Sequence, residues 1–123
     1  KLSRRYTFSM KFESEIVANK ILPAVRKSIA EKLSQDYGWT QEEIARAMNL
    51  TQPAVSQYLK GKRSNPQTVK KLENDPQTQI MLEDAVKKIA QDQDYTQELQ
   101  DLVKTVRDKG IMKKEFKDSK RIL

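Results

Sequence analysis

Gln52, Ser56, Gln57 and Lys60 stand at helical spacing within the segment Thr51–Lys60. On a helix this spacing places them, with Thr51, on the outer side, while Val55, Tyr58 and Leu59 take the other. All five outer residues donate or accept hydrogen bonds, and none is acidic. One helix carrying such a face fits the major groove of a DNA duplex. There Gln can pair bidentately with an adenine edge, Ser and Thr adapt to several bases, and Lys reaches guanine or phosphate. Gln41 opens the preceding helical segment, where unpaired N–H groups and the helix dipole favour a phosphate. Lys60, Lys62 and Arg63 add phosphate-facing charge just beyond the reading segment.

Two helices joined by a tight turn must hold these groups. Ile44, Ala45 and Met48 share one face of the first, Leu50 plugs the corner, and small Ala45 allows close approach at the crossing. Asn49 falls where the chain must turn with positive φ, a conformation Asn tolerates second only to Gly. Thr40 with Glu43 forms a capping box at the start of the first helix. Pro53 is tolerated in the first turn of the second, which runs from Thr51 to about Lys60, and Gly61 closes it.

The remaining chain reads as further helices and no strands. Ile16, Val17, Ile21, Leu22, Val25, Ile29 and Leu33 predict an amphipathic helix or helix pair over about 13–35, interrupted at Pro23 and ended at Gly38. Asn65-Pro66 and Asp75-Pro76 each predict a cap followed by a first-turn proline. The second of these helices has the apolar set Ile80, Leu82, Val86 and Ile89. Asp94 or Thr96 is expected to cap a last helix with Leu99, Leu102, Val103 and Val106, ended at Gly110. The tail 111–123 is Lys-rich, a short helix or a disordered arm. Trp39, Tyr37 and Tyr58 are expected to pack in the core or at its rim. The fold expected is all-α, with five to six helices. Residues 14–73 form a compact helix-turn-helix domain, 74–110 are C-terminal helices suited to dimerisation, and 111–123 are a basic tail.

Composition narrows the function. The 123 residues hold 24 Lys and Arg against 17 Asp and Glu, with no Cys and no His. That count excludes thiolate or imidazole zinc sites, iron–sulfur ligation, cysteine nucleophiles, disulfides and Ser-His-Asp chemistry. The paired acids Glu42-Glu43 and Asp92 with Asp94 fall at solvated helix starts, and Ser56 with Lys60 lacks an oxyanion-hole signature. No enzyme activity and no cofactor is therefore expected. No run of 18 apolar residues exists to span a membrane. The charge is uneven: net +6 over 1–63, −3 over 64–108 and +4 over 109–123. A polyanion partner is implied for the front and the tail. Met10 is a candidate start, with residues 1–9 a leader.

The segment 41–60 resembles the helix-turn-helix of the Cro and lambda-repressor-like superfamily at Gln41, Ala45, Leu50, Gln52, Val55 and Ser56, with Asn49 in place of the usual Gly. Over 14–63 the chain is also similar to a group of small archaeal predicted transcriptional regulators, through Ile21–Ala30, Tyr37-Gly38 and Thr51–Arg63. Members of that group often end in a Cys-x-x-Cys tail, which a chain without cysteine lacks. The resemblance implies that Gln52, Pro53, Ser56, Gln57 and Lys60 face the groove, and that Gln41 and Thr51 face phosphates. Pro53 replaces a polar residue there, which implies an apolar contact such as a thymine methyl.

The expected function is a sequence-specific double-stranded-DNA-binding transcriptional regulator, cytoplasmic and homodimeric, with any small-molecule effector undetermined. Two other readings stand beside it. One is an antitoxin-like or adaptor protein whose C-terminal helices grip a protein partner. The other is a non-specific architectural DNA binder, which a Gln-rich rather than Lys- and Arg-rich outer face disfavours.

Overall fold

The structure is a computed structural model that describes residues 11–117, 119 and 120. Among these, a two-residue strand, β1 (Lys11–Phe12), leads into α1 (Glu13–Ile16), a π-helical segment (Val17–Ile21) and α2 (Leu22–Tyr37). Then follow α3 (Gln41–Met48), α4 (Gln52–Leu59), α5 (Pro66–Asn74), α6 (Pro76–Ala90), α7 (Thr96–Asp108), α8 (Lys113–Lys117) and β2 (Ser119–Lys120). The architecture is all-α apart from one contact: β1 pairs in parallel with β2, Lys11 with Ser119 and Phe12 with Lys120. That two-residue pair leaves the all-α class unchanged. Its apolar pattern is too short for a period-2 signal, and pairing partners so far apart in the chain leave no local trace.

Helix α2 is the central post, packing against the π segment, α3, α4, α5 and α6. Pro23 lies in its first turn. Proline lacks an N–H and its ring collides with the carbonyl four residues back. The widened π turn just upstream accommodates it, so the chain stays helical from Glu13 to Tyr37 instead of breaking. Buried Ile21, Val25, Ile29 and Leu33 on α2 and its approach join Ile44, Val55, Leu72, Leu82, Val86, Leu102, Val106 and Met112 in one core cluster.

Capping follows the sequence closely. Asn65 Oδ1 accepts from Gln67 N and Thr68 N, and Asp75 Oδ2 accepts from Thr78 N at 2.9 Å. At α7 the expectation of Asp94 or Thr96 as the cap is corrected: the N-cap is Tyr95, with no side-chain cap bond, and Asp94 Oδ1 instead accepts from both the backbone N–H and the hydroxyl of Thr96, the first helical residue. One apolar side chain departs from expectation, while Tyr37 does not. Ile80 is 58% exposed, because α6 buries Thr78, Leu82, Ala85, Val86 and Ile89 and turns Ile80 outward. Tyr37 is 44% exposed at the end of α2, a rim position. The tail is helical over Lys113–Lys117 and is anchored by buried Met112, with α8 against α1.

Candidate nucleic-acid interface

Helices α3 and α4 pack against one another and both lean on α2. Ile44, Ala45 and Met48 of α3 face Val55 and Tyr58 of α4 in the buried layer, with Leu50 half-buried at the corner. Thr40 begins α3 with a complete capping box. Glu43 N donates to Thr40 Oγ1 at 3.2 Å, and Thr40 N donates to Glu43 Oε1 at 2.8 Å. The Thr40 backbone N–H, then its hydroxyl, hold the Glu43 carboxyl below its ordinary range, with the charge of Arg46 adding. Asn49 adopts φ 56 and ends α3, while Leu50 N donates to Ala45 O at 2.8 Å. This 6→1 bond with a left-handed residue before it is the Schellman closure, and here it sets the angle between the two helices.

Thr51 is the N-cap of α4, its Oγ1 accepting from Ala54 N at 3.1 Å. The cap occupies an acceptor site of the hydroxyl and leaves its proton free to donate outward. Gln52, Pro53, Gln57 and Lys60 are exposed along the outer side of α4, and Ser56 lies half-buried between them. Gln41, the first residue of α3, is half-buried beside α4. Its side chain reaches α4 directly: Gln52 Nε2 donates to Gln41 Oε1. One N–H of the Gln52 amide is spent on this bond, and its carbonyl and second N–H have no partner among the described residues.

At the other end of α4, Gly61 takes φ 74, Gly61 N donates to Tyr58 O and Lys62 N donates to Gln57 O, both at 2.9 Å. This second Schellman closure folds the chain back over the helix. It delivers Arg63 to the side of α4, where Arg63 Nε donates to Gln57 Oε1 at 2.6 Å and the guanidinium lies 5.7 Å from the buried Tyr58 ring. Lys60 and Lys62 are exposed and pair with no carboxylate among the described residues. The nine residues singled out in the sequence thus lie on one structural unit. What the sequence did not disclose is that four of them are tied in pairs, Gln41 with Gln52 and Gln57 with Arg63, nor that Tyr58 supports Arg63 from below. The only trace of the second pair is a glycine between them at a helix end.

Residues 29–81 match a family model described as helix-turn-helix, a span of less than half the chain that runs from within α2 into α6. The fold of this span is the Cro and lambda-repressor-like helix-turn-helix, a DNA-binding domain type, with additional C-terminal helices beyond it. No curated protein and no solved structure matches the chain significantly. No described helix is long and apolar enough to cross a membrane.

Proposed function

We propose that this protein is a sequence-specific double-stranded-DNA-binding transcriptional regulator that docks α4 in the major groove and acts as a dimer. The observation that carries the reading is the bond from Gln52 to Gln41. An exposed glutamine on a short helix would ordinarily sample many rotamers and lose entropy on binding. Tied to α3, Gln52 offers its free carbonyl and N–H in a fixed orientation, the complement of an adenine edge. Thr51, Pro53 and Ser56 lie in the same outer face, and Gln41 at the start of α3 has backbone N–H groups suited to a phosphate. Lys60 and Lys62, without carboxylate partners, serve the phosphate backbone. On this reading residues 14–73 are the DNA-reading unit and 74–110 supply the contact between two copies, with 111–123 an accessory basic tail. On the same reading a second copy covers the apolar groove of about 430 Å³ where Leu99 and Val103 of α7 meet Val17 of the π segment and Leu22 of α2, so the front unit adds an edge to that contact.

Selection from a random duplex library at near-physiological salt tests the proposal. The expected product is a two-fold-symmetric site whose half-sites lie about 34–36 Å apart, one helical turn or a multiple of it. Retention of DNA without enrichment, vanishing as salt rises, would replace it with architectural binding through phosphates.

A further inference from the structure

Two glutamines on the outer side of α4 are held by opposite ends of their amides. Gln52 gives away an N–H, to Gln41 Oε1. Gln57 instead gives up an acceptor site, taking Arg63 Nε–H on Oε1 at 2.6 Å. We infer that Arg63 is a specificity residue: clasped to Gln57, it turns that position from an adenine reader into a guanine reader, while Gln52 keeps adenine. The inference rests on the major-groove reading proposed above.

A free glutamine pairs with adenine because it presents one donor and one acceptor, matching N7 and the N6 amine. The Gln57 carbonyl has two lone pairs, and Arg63 uses one. An adenine amine approaching the other would sit beside the guanidinium, donor against donor with positive charge nearby. Guanine presents N7 and O6, both acceptors, to the same place. The Gln57 amide N–H and the remaining guanidinium N–H groups of Arg63 are all donors, so the clasped pair and the guanine edge are complementary. Gln52 keeps its adenine complement, since its carbonyl takes no bond from another side chain among the described residues.

The clasp is built, not incidental to a long side chain. The Schellman closure at Gly61 points the chain back along α4, and the Tyr58 ring, 4% exposed, supports the guanidinium face at 5.7 Å. The position of the guanine follows from helix geometry. Gln57 lies five residues beyond Gln52, about 7.5 Å along the helix at a rise of 1.5 Å per residue. With base pairs stacked roughly 3.4 Å apart and α4 lying along the groove, that is at most about two steps.

The test is selection from a random duplex library with the full chain and, in parallel, with Arg63→Ala, whose exposed site keeps the core intact; matching melting curves confirm the fold. The wild type is expected to enrich an adenine and, within about two base pairs of it, a guanine. Arg63→Ala is expected to keep the adenine, and at the second position its guanine-over-adenine ratio should fall about tenfold or more as the freed Gln57 amide regains adenine pairing. An unchanged base preference with uniformly weaker binding would show Arg63 on phosphate and overturn the inference. So would a wild-type site with no guanine at that position. In both cases an enriched site leaves the DNA-reading proposal standing, whereas absence of any enrichment by the wild type brings down both.

Discussion

The surroundings of α4 and of α7 handle charge in opposite ways. Around α4 the side-chain bonds run between amides or from guanidinium to amide, and Lys60 and Lys62 pair with no carboxylate among the described residues. Around α7 the cations are tied to carboxylates. Lys88 meets Glu98 at 3.5 Å, Lys104 meets Asp108 at 3.1 Å, Arg107 meets Glu13 and Asp108, and Lys109 meets Asp75 at 2.8 Å. Paired surface charges add little to stability, but they close the local field and knit elements together. Glu13 with Arg107 links α1 to α7, and Asp75 with Lys109 links the α5–α6 junction to the end of α7. Unpaired cations beside a polar helix leave a field open to an incoming polyanion.

The largest effect is expected where α2 joins the two parts into one folded body. Leu33 is fully buried on α2, which touches both parts. Leu33→Ala is expected to cost about 2–5 kcal/mol and to lower front and rear together, as one transition in thermal unfolding followed at Trp39 and by far-ultraviolet dichroism. Two separated transitions would make front and rear independent. At the reading face, Gln52→Ala is expected to cost about 1–3 kcal/mol on the selected site and to relax the base preference at one position. Fluorescence anisotropy with matched and single-mismatch duplexes measures it, and an unchanged preference would displace α4 as the reader.

A smaller effect is expected at the rear junction. Asp75→Ala removes the cap of α6 and the partner of Lys109, for about 1 kcal/mol of stability. Its pH dependence has a defined sign. The Lys109 ammonium, then the Thr78 backbone N–H, lower the Asp75 pKa. A lowered folded-state value means stability that is full above the ordinary carboxylate range, near pH 4, and is lost as pH falls through the lowered value. The deficit of Asp75→Asn against the wild type should therefore be steady at neutral pH and shrink on acidification below about pH 4 in denaturant melts. Lysine substitutions test the contrast in its mildest form. Lys62→Ala should weaken binding to all duplexes alike and reduce the slope of log K against log salt by about one. Lys104→Ala, which takes away an already paired charge, should leave that slope unchanged. Equal effects from the two would erase the distinction between front and rear.

Much was legible in the sequence because the signals are local. The Thr40–Glu43 box, Asn49 at positive φ, the caps before Pro66 and Pro76, and the faces of α3 and α4 each depend on residues within one or two turns. Capping, turn conformation and helical period are properties of short segments, so the residues alone determine them. The all-α class and the acid-free outer side of α4 follow from the same short-range rules. Tertiary structure decided what depends on distant or folded-back partners. Ile80 has an apolar side chain at a helical interval, yet only the docking of α6 on α2 settles that it points to solvent. The meeting of β1 with β2 joins residues more than a hundred positions apart. The two glutamines of α4 are chemically identical in sequence, and each acquires its hydrogen-bonding character from a partner that only packing supplies: Gln41 from a crossing helix, Arg63 from a chain reversed at Gly61. An amide's available donors and acceptors are whatever its neighbours leave unused, and the neighbours are set by the fold.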